Sequence, residues 1–471
     1  MTLGWIVALY LLITLCLGLA ASKLIHGIGD FFSANRKLPM LLSSMALFAL
    51  WFGSETIFGA SAEFMDHGVL GVIEDPFGAT LCLVLFGLFL VRPLYRQNLL
   101  TLGDLFRKAY GPRIEYLSAL FMILTFVGYI AGQLIALSIL FDAVFGIDTA
   151  YGLILSAVIV TLYTAGGGMW AVSLTDFLQS IVIMLGLLAI TVYLGSKVDL
   201  AMLSVPPSEH FFDFAPSEAN GKSWLDYLAA WLTLGLGSLA SQDIFQRANS
   251  ARSENVAVFS TLLGAGLYLL FAMLPLLLGL MVFQLEPSLL AGDKQDTLIR
   301  LVANHAPIWL QGIFFGALLS AVFSTCSGAL LAPSSILAEN LVKPLLFKSD
   351  SEAGLLRASR WCVVVMAIIS TIVARSSDSI YELVGQSSAF GAVSILIPLL
   401  FALFARRPCP RGALLAMSGG LVAYLAIEYG VPGFPVPAMF VGMMASLAGM
   451  IIGVTSSAAG IRLPWQVSST D

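Results

Sequence analysis

The stretch Ala321-Val322-Phe323-Ser324-Thr325-Cys326-Ser327-Gly328 sets several hydroxyls inside an apolar run where a membrane helix favours Leu. Hydroxyl oxygens and backbone carbonyls freed from helical bonding suit a hard cation such as Na+. Polar groups at bilayer depth are costly unless they find partners. The bland reading is that Ser324 and Thr325 back-bond to carbonyls one turn earlier, as helical hydroxyls often do. A cation site here requires a membrane around the run and oxygen atoms facing it.

Composition supplies the membrane. The 471 residues are 59% hydrophobic and 11% charged, with a mean hydropathy of +0.93, whereas soluble domains carry about 25% charged residues. Apolar windows of roughly 20 residues recur throughout, the length of a spanning helix and not the roughly ten-residue alternation of a barrel strand. The expected fold class is therefore an all-α integral membrane protein. Thirteen transmembrane helices are expected, near 3–22, 43–66, 73–91, 114–141, 149–165, 171–195, 223–246, 254–283, 305–340, 359–375, 379–404, 411–428 and 437–457. The first ends in Leu19, Ala20, Ala21 and Ser22 like a cleavable signal, yet it lacks a basic n-region and reads as a retained helix. The longest polar stretches, 197–223 and 284–304, are too short for a core of their own and read as external loops.

Basic residues test the topology, because they accumulate in short cytoplasmic loops. With the N-terminus outside and the C-terminus cytoplasmic, eighteen of the 23 Lys and Arg fall inside. The five outside are Lys197, Lys222, Lys294, Arg300 and Arg375. The lipid bilayer, expected to be the cell inner membrane, is thus one partner. The net charge of -5 mostly reflects acidic outer loops, and no nucleic-acid signature is present. The five Cys offer no extracellular disulfide pair, and His26, His67, His210 and His305 form no metal-ligand spacing. No Ser-His-Asp or paired-Asp arrangement stands inside the spans, and no filter or charged ring suggests a channel.

Two spans look breakable. The second carries Trp51, Phe52, Gly53, Ser54, Glu55, Thr56 and Gly59, and the seventh carries Gly235, Gly237, Ser238, Ser241, Gln242 and Asp243. Five helices counted from each span make two equivalent halves, and transporters built as inverted repeats break the first helix of each half to bind substrate. The alternative is that Gly and Ser merely let helices pack closely.

The run Thr161, Leu162, Tyr163, Thr164, Ala165, Gly166, Gly167, Gly168, continued by Ala171, Val172, Thr175, Asp176, Phe177, Leu178 and Gln179, resembles a stretch of the sodium:solute symporter family. Gln242, Asp243, Ile244, Phe245, Gln246 and Arg247 resemble that family's Gln-Arg helix ending, and the opening hydroxyl run resembles its Ala-x-x-Ser-Thr. The likeness extends from about Trp5 to Gly453 and leans toward the choline-transporter and proline-symporter branches. It implies a five-plus-five inverted-repeat core over 43–404, with halves 43–195 and 223–404. One extra helix precedes it in 1–42, and two follow in 405–471.

The resemblance further implies a Na+ site formed by Ala321, Ser324 and Thr325 with the carbonyls of Ala49 and Phe52. A second Na+ site, or an ion exit, would use Asp176 and Ser327, but Gly328 stands where another hydroxyl is expected. Asp176 is alternatively a partner of Arg247. The small-molecule solute, a proline-like amino acid or a choline-like, zwitterionic or cationic compound, is expected near Trp51, Glu55, Thr56, Gln133, Ser241 and Gln386. An aromatic cage is depleted, with Gly132 and Ser241 at positions where the choline branch has Trp. Trp51 is equally a packing or gate aromatic, and Glu55 equally a hydrogen-bonded gate residue. Proton coupling through Asp176 or Glu55, and a non-transporting sensor of the same fold, are the alternatives to sodium symport. Oligomeric state is not legible.

Overall fold

The computed structural model describes residues 2–199, 201–220, 223–292, 294–346, 352–376, 379–431 and 433–458. Lys222, Lys348 and Arg462, part of the charge count above, lie outside the described residues. Helices account for the architecture. Among the described residues the only strand-like pairing is a single parallel bridge between Leu38 and Ala251.

Ten helices are long and apolar enough to cross a membrane, and Met40–Trp51 and Thr149–Leu162 are shorter apolar helices. The difference from thirteen expected spans has physical causes. The second expected span is split after Trp51, and its remainder joins the third in a 42-residue apolar stretch, Glu55–Arg96, that bends at Gly68 and Asp75. The fifth and sixth expected spans form one 47-residue element, Thr149–Gly195, that kinks at Gly168. There φ is 50°, and a Cβ would fall 2.7 Å from the Phe31 carbonyl oxygen, so only glycine fits. The seventh is divided into Trp224–Gly237 and Gln242–Asn249. The polar stretch 284–304 is more ordered than a loop, since it ends in the amphipathic helix Thr297–His305.

The helix bearing the hydroxyl run, Ile308–Ile336, occupies the centre of the bundle. In its most apolar window 94% of residues are buried, against 25–61% in the other candidate spans. A central helix cannot face lipid, so its polar atoms meet other helices. Leu162, Leu185, Ile372, Val422 and Met444 remain exposed on the outsides of peripheral helices, as a lipid-facing band requires.

Candidate ion and solute site

Helix Met40–Trp51 stops where Phe52 turns to φ −88° and ψ 71°, and a wide π-turn over Glu55–Gly59 resumes the chain. Such a break leaves carbonyls without intrahelical donors, which protein groups must meet in a dry interior. Leu50 O accepts from the Tyr129 hydroxyl at 3.1 Å, and Trp51 O accepts from Thr56 Oγ1 at 3.1 Å. Ala49 O accepts from Ser324 Oγ at 3.3 Å and from Thr325 Oγ1 at 2.9 Å. On the resuming side, Ser54 N–H donates to Gln133 Oε1 at 3.0 Å.

The hydroxyl run therefore touches the break directly. Ser324 also donates to Ala321 O at 2.8 Å, so it back-bonds and reaches across at once. Thr325 reaches across to the other helix, a contact that back-bonding does not explain. Ala49, Phe52, Ala321, Ser324 and Thr325 are all fully buried. Hydroxyl and carbonyl oxygens converging in a dry site are the donor set of a hard cation, whose lone-pair demand the hydroxyls meet by turning their hydrogens away.

Asp176 and Ser327 lie beside this set with different partners. Ser327 Oγ donates to Ser324 O at 3.0 Å. Asp176 Oδ2 accepts from Arg247 Nη2 at 3.2 Å, with both side chains buried, while Asp176 Oδ1 has no hydrogen-bond partner.

The second discontinuity is at Ser241, extended at φ −82° and ψ 133° between a tight turn over Ser238–Ala240 and helix Gln242–Asn249. Asp243 Oδ1 accepts from Ser241 Oγ at 2.5 Å and from Ile244 N–H at 2.7 Å, placing a carboxylate at the helix N-terminus, where the dipole favours it. The two breaks face one cavity, lined among others by Trp51, Glu55, Phe126, Tyr129, Ser238, Ser241, Asp243, Ser387 and Ser388.

Of the six residues expected at the solute, Trp51, Glu55 and Ser241 line this cavity and the other three do not. Gln133 stands behind Glu55, donating from Nε2 to Glu55 Oε2 at 2.7 Å. Thr56 faces the opposite side, bonded to Asp75 Oδ2 at 3.0 Å and to the Tyr268 hydroxyl at 2.8 Å. Gln386 is exposed. Val384, Ser387, Ser388, Gly391 and Ile395 form the cavity-facing stripe of their helix at three- and four-residue spacing, and Gln386 falls off it.

Sequence reading passed over Phe126, Tyr129, Asp243, Asp75 and Tyr268 as site residues. Phe126 and Tyr129 supply aromatic walls one to two turns from Gly132, where the cage had looked empty. Tyr129 was findable, because it lies four residues before Gln133 and shares its helix face.

Residues 31–420 match the sodium:solute symporter family, and the chain belongs to that family of membrane transporters. Sodium is the coupled ion by which this family is described. A high-affinity choline transporter of Drosophila melanogaster is 27% identical over 385 residues, covering 80% of this chain but only 62% of that protein. The chain thus spans under two thirds of that relative's length. A sodium/proline symporter of Staphylococcus aureus is 25% identical over 473 residues, covering 95% of this chain and 90% of the relative. A solved Na+-coupled sialic acid symporter, in a substrate-bound outward-open state, has the same fold, with a TM-score of 0.83 at 21% identity over 97% of this chain and 98% of the other. A nucleobase-cation-symport-1 family transporter in a closed conformation gives a TM-score of 0.61 at 14% identity over 92% and 95%.

Proposed function

We propose that this protein is a secondary active symporter that uses inward Na+ flow to import a small organic solute by alternating access. The observation that carries the reading is the meeting of Ser324 and Thr325 with the Ala49 carbonyl that the helix break has released. In this reading Ala49, Phe52, Ala321, Ser324 and Thr325 hold Na+, and the solute sits between the two breaks against Trp51, Glu55 and Ser241. Counting each broken or kinked helix as its own crossing gives thirteen spans, arranged as a five-plus-five inverted repeat over 43–404, with the N-terminus outside and the C-terminus cytoplasmic. The membrane is the inner membrane of the cell.

Ion binding between a broken helix and the central helix favours the outward-open state, so that solute meets a completed site. One Na+ entering down about 100 mV releases about 2.3 kcal/mol, and a tenfold gradient adds about 1.4 kcal/mol. A single ion can therefore concentrate a neutral solute roughly several hundredfold. Pairing of Asp176 with Arg247 speaks against Asp176 as a free proton carrier. Proline and choline, the solutes named for two relatives, are the first compounds to try. The test is uptake of labelled solutes into proteoliposomes under an inward Na+ gradient against an equal K+ gradient, and uptake indifferent to Na+ would sink the reading.

A further inference from the structure

We infer that the solute is an organic monocation that also carries a hydrogen-bond acceptor, an inference that rests on the symporter reading above. Two carboxylates, Glu55 and Asp243, line the central cavity, and among the described residues no Lys, Arg or His lines it. Arg247, the cation one turn beyond Asp243, is committed to Asp176. Among the described residues neither lining carboxylate is held in an ion pair, and Asp243 feels Arg247 only through space. Glu55 accepts from Gln133 at 2.7 Å and Tyr129 at 3.3 Å, and both bonds to Asp243 fall on Oδ1. A zwitterion would bring its own carboxylate against these two with no fixed positive charge to receive it, at a cost that low dielectric enlarges. A cation meets two carboxyl groups.

The walls favour the same class. Trp51, Phe126 and Tyr129 line the cavity, and aromatic faces attract ammonium and guanidinium groups. Trp51 supplies the second half of the inference. Its indole Nε1 is buried without a hydrogen-bond partner, and a buried N–H left unpaired is costly enough that a ligand acceptor is its expected mate.

A second cavity extends the argument toward the solvent. Glu63, Asp66, Glu74 and Glu209 line it, together with His67, His210 and Tyr381. Glu63 pairs with His67 at 3.2 Å, Glu209 lies 3.8 Å from His210, and Lys294 bonds Asp66, so the four carboxylates still outnumber the basic groups. Tyr381 lies one turn before Val384 on helix Ile380–Gly391, whose Val384 and Ser388 line the central cavity, so the acidic vestibule and the central cavity share one helix. An acidic cleft with low-dielectric walls concentrates cations before they bind.

The test is thermal unfolding of the purified full chain in NaCl and in KCl with four probes: choline, tetramethylammonium, proline, and 3,3-dimethylbutan-1-ol, the uncharged isostere of choline. The expected result in NaCl is a raised midpoint with choline and tetramethylammonium and none with the isostere or proline, because only a bound ligand stabilises by mass action. Glu55→Gln and Asp243→Asn should each weaken the cation response about tenfold or more. Trp51→Phe should weaken choline, which has an acceptor oxygen, more than tetramethylammonium, which has none. A response to proline or the isostere equal to that of the cations, or no response to either cation, overturns the inference. Stabilisation by Na+ over K+ without solute reports the ion site separately. A chain that senses Na+ but no cation sinks the solute class alone, and one blind to Na+ sinks the symport reading.

Discussion

The guanidinium of Arg247 fills the space that a side chain on Gly328 would need. A Cβ at Gly328 would fall 2.2 Å from Arg247 Nη2, and that same nitrogen donates to Asp176 Oδ2 at 3.2 Å. The missing hydroxyl at this position is clearance for a fixed cation beside a buried carboxylate. A tethered charge there does electrostatically what a second bound ion would do. We therefore expect one Na+ per cycle, read as a Hill coefficient of about 1 for Na+-dependent uptake; a value near 2 would sink this prediction.

Removing one partner of a buried ion pair strands the other charge, at a cost of about 3–5 kcal/mol. Arg247→Gln and Asp176→Asn should each destabilise strongly, and the double variant should recover much of the loss. Gly328→Ser should resemble the single variants, because it evicts the guanidinium. Denaturation midpoints of the wild type, the Arg247 and Asp176 single variants and their double variant form the cycle, and strictly additive losses would mean that the pair is not coupled.

Replacing both Ser324 and Thr325 by Ala should abolish Na+-dependent uptake while leaving the protein inserted in the membrane. It should also erase any stabilisation by Na+ over K+. Retained sodium dependence in the double variant would move the ion elsewhere.

Glu55→Gln should lower solute affinity more than Na+ affinity, since Glu55 lines the central cavity while the Thr325 hydroxyl is bonded to Ala49 O. Titration of each ligand at saturating levels of the other separates the two effects. Equal losses would make Glu55 a gate.

Gly53 connects the two sites through its lack of a side chain. A Cβ there would lie 2.7 Å from Glu55 Oε2, 2.9 Å from Thr325 Cγ2 and 3.0 Å from Gln133 Oε1. Gly53→Ala should therefore weaken Na+ and solute binding together, each by about tenfold or more, where Glu55→Gln weakens mainly one. An alanine variant with only one affinity changed would show the sites to be independent.

Tyr129→Phe removes the hydroxyl that Leu50 O accepts at 3.1 Å. Leaving that carbonyl unpaired should cost about 1–3 kcal/mol, visible as a lower unfolding midpoint without solute. An unchanged midpoint would mean that another donor moves in.

Hydropathy and basic-residue bias made the bundle legible, because both are local properties of the chain. The breaks were legible for the same reason, since Gly53 and Ser54, and Gly237 and Ser238, interrupt apolar runs. Their partners were not. Asp75 meets Thr56 and Tyr268, whose hydroxyls belong to residues 212 apart in sequence, and no periodicity announces such an encounter. Asp243 stood inside the quoted Gln-Arg stretch, yet its role depended on the turn at Ser241 exposing the helix start. Gln386 was chosen as a polar residue in the right span, but one residue of rotation gave its place to Ser387 and Ser388.

The bridge between Leu38 and Ala251 also ties the two broken helices to each other. Leu38 N–H donates to Ser250 O at 3.0 Å, and Arg252 N–H donates to Leu38 O at 2.9 Å. These bonds fasten the start of helix Met40–Trp51 to the end of helix Gln242–Asn249, the extremities furthest from the two breaks. The paired half-helices are thereby a single lever. A movement of that lever would bend the backbone at residues 52–54 and at Ser241, which border the proposed ion and solute positions, so its fulcrum and its cargo would share the same few peptide units.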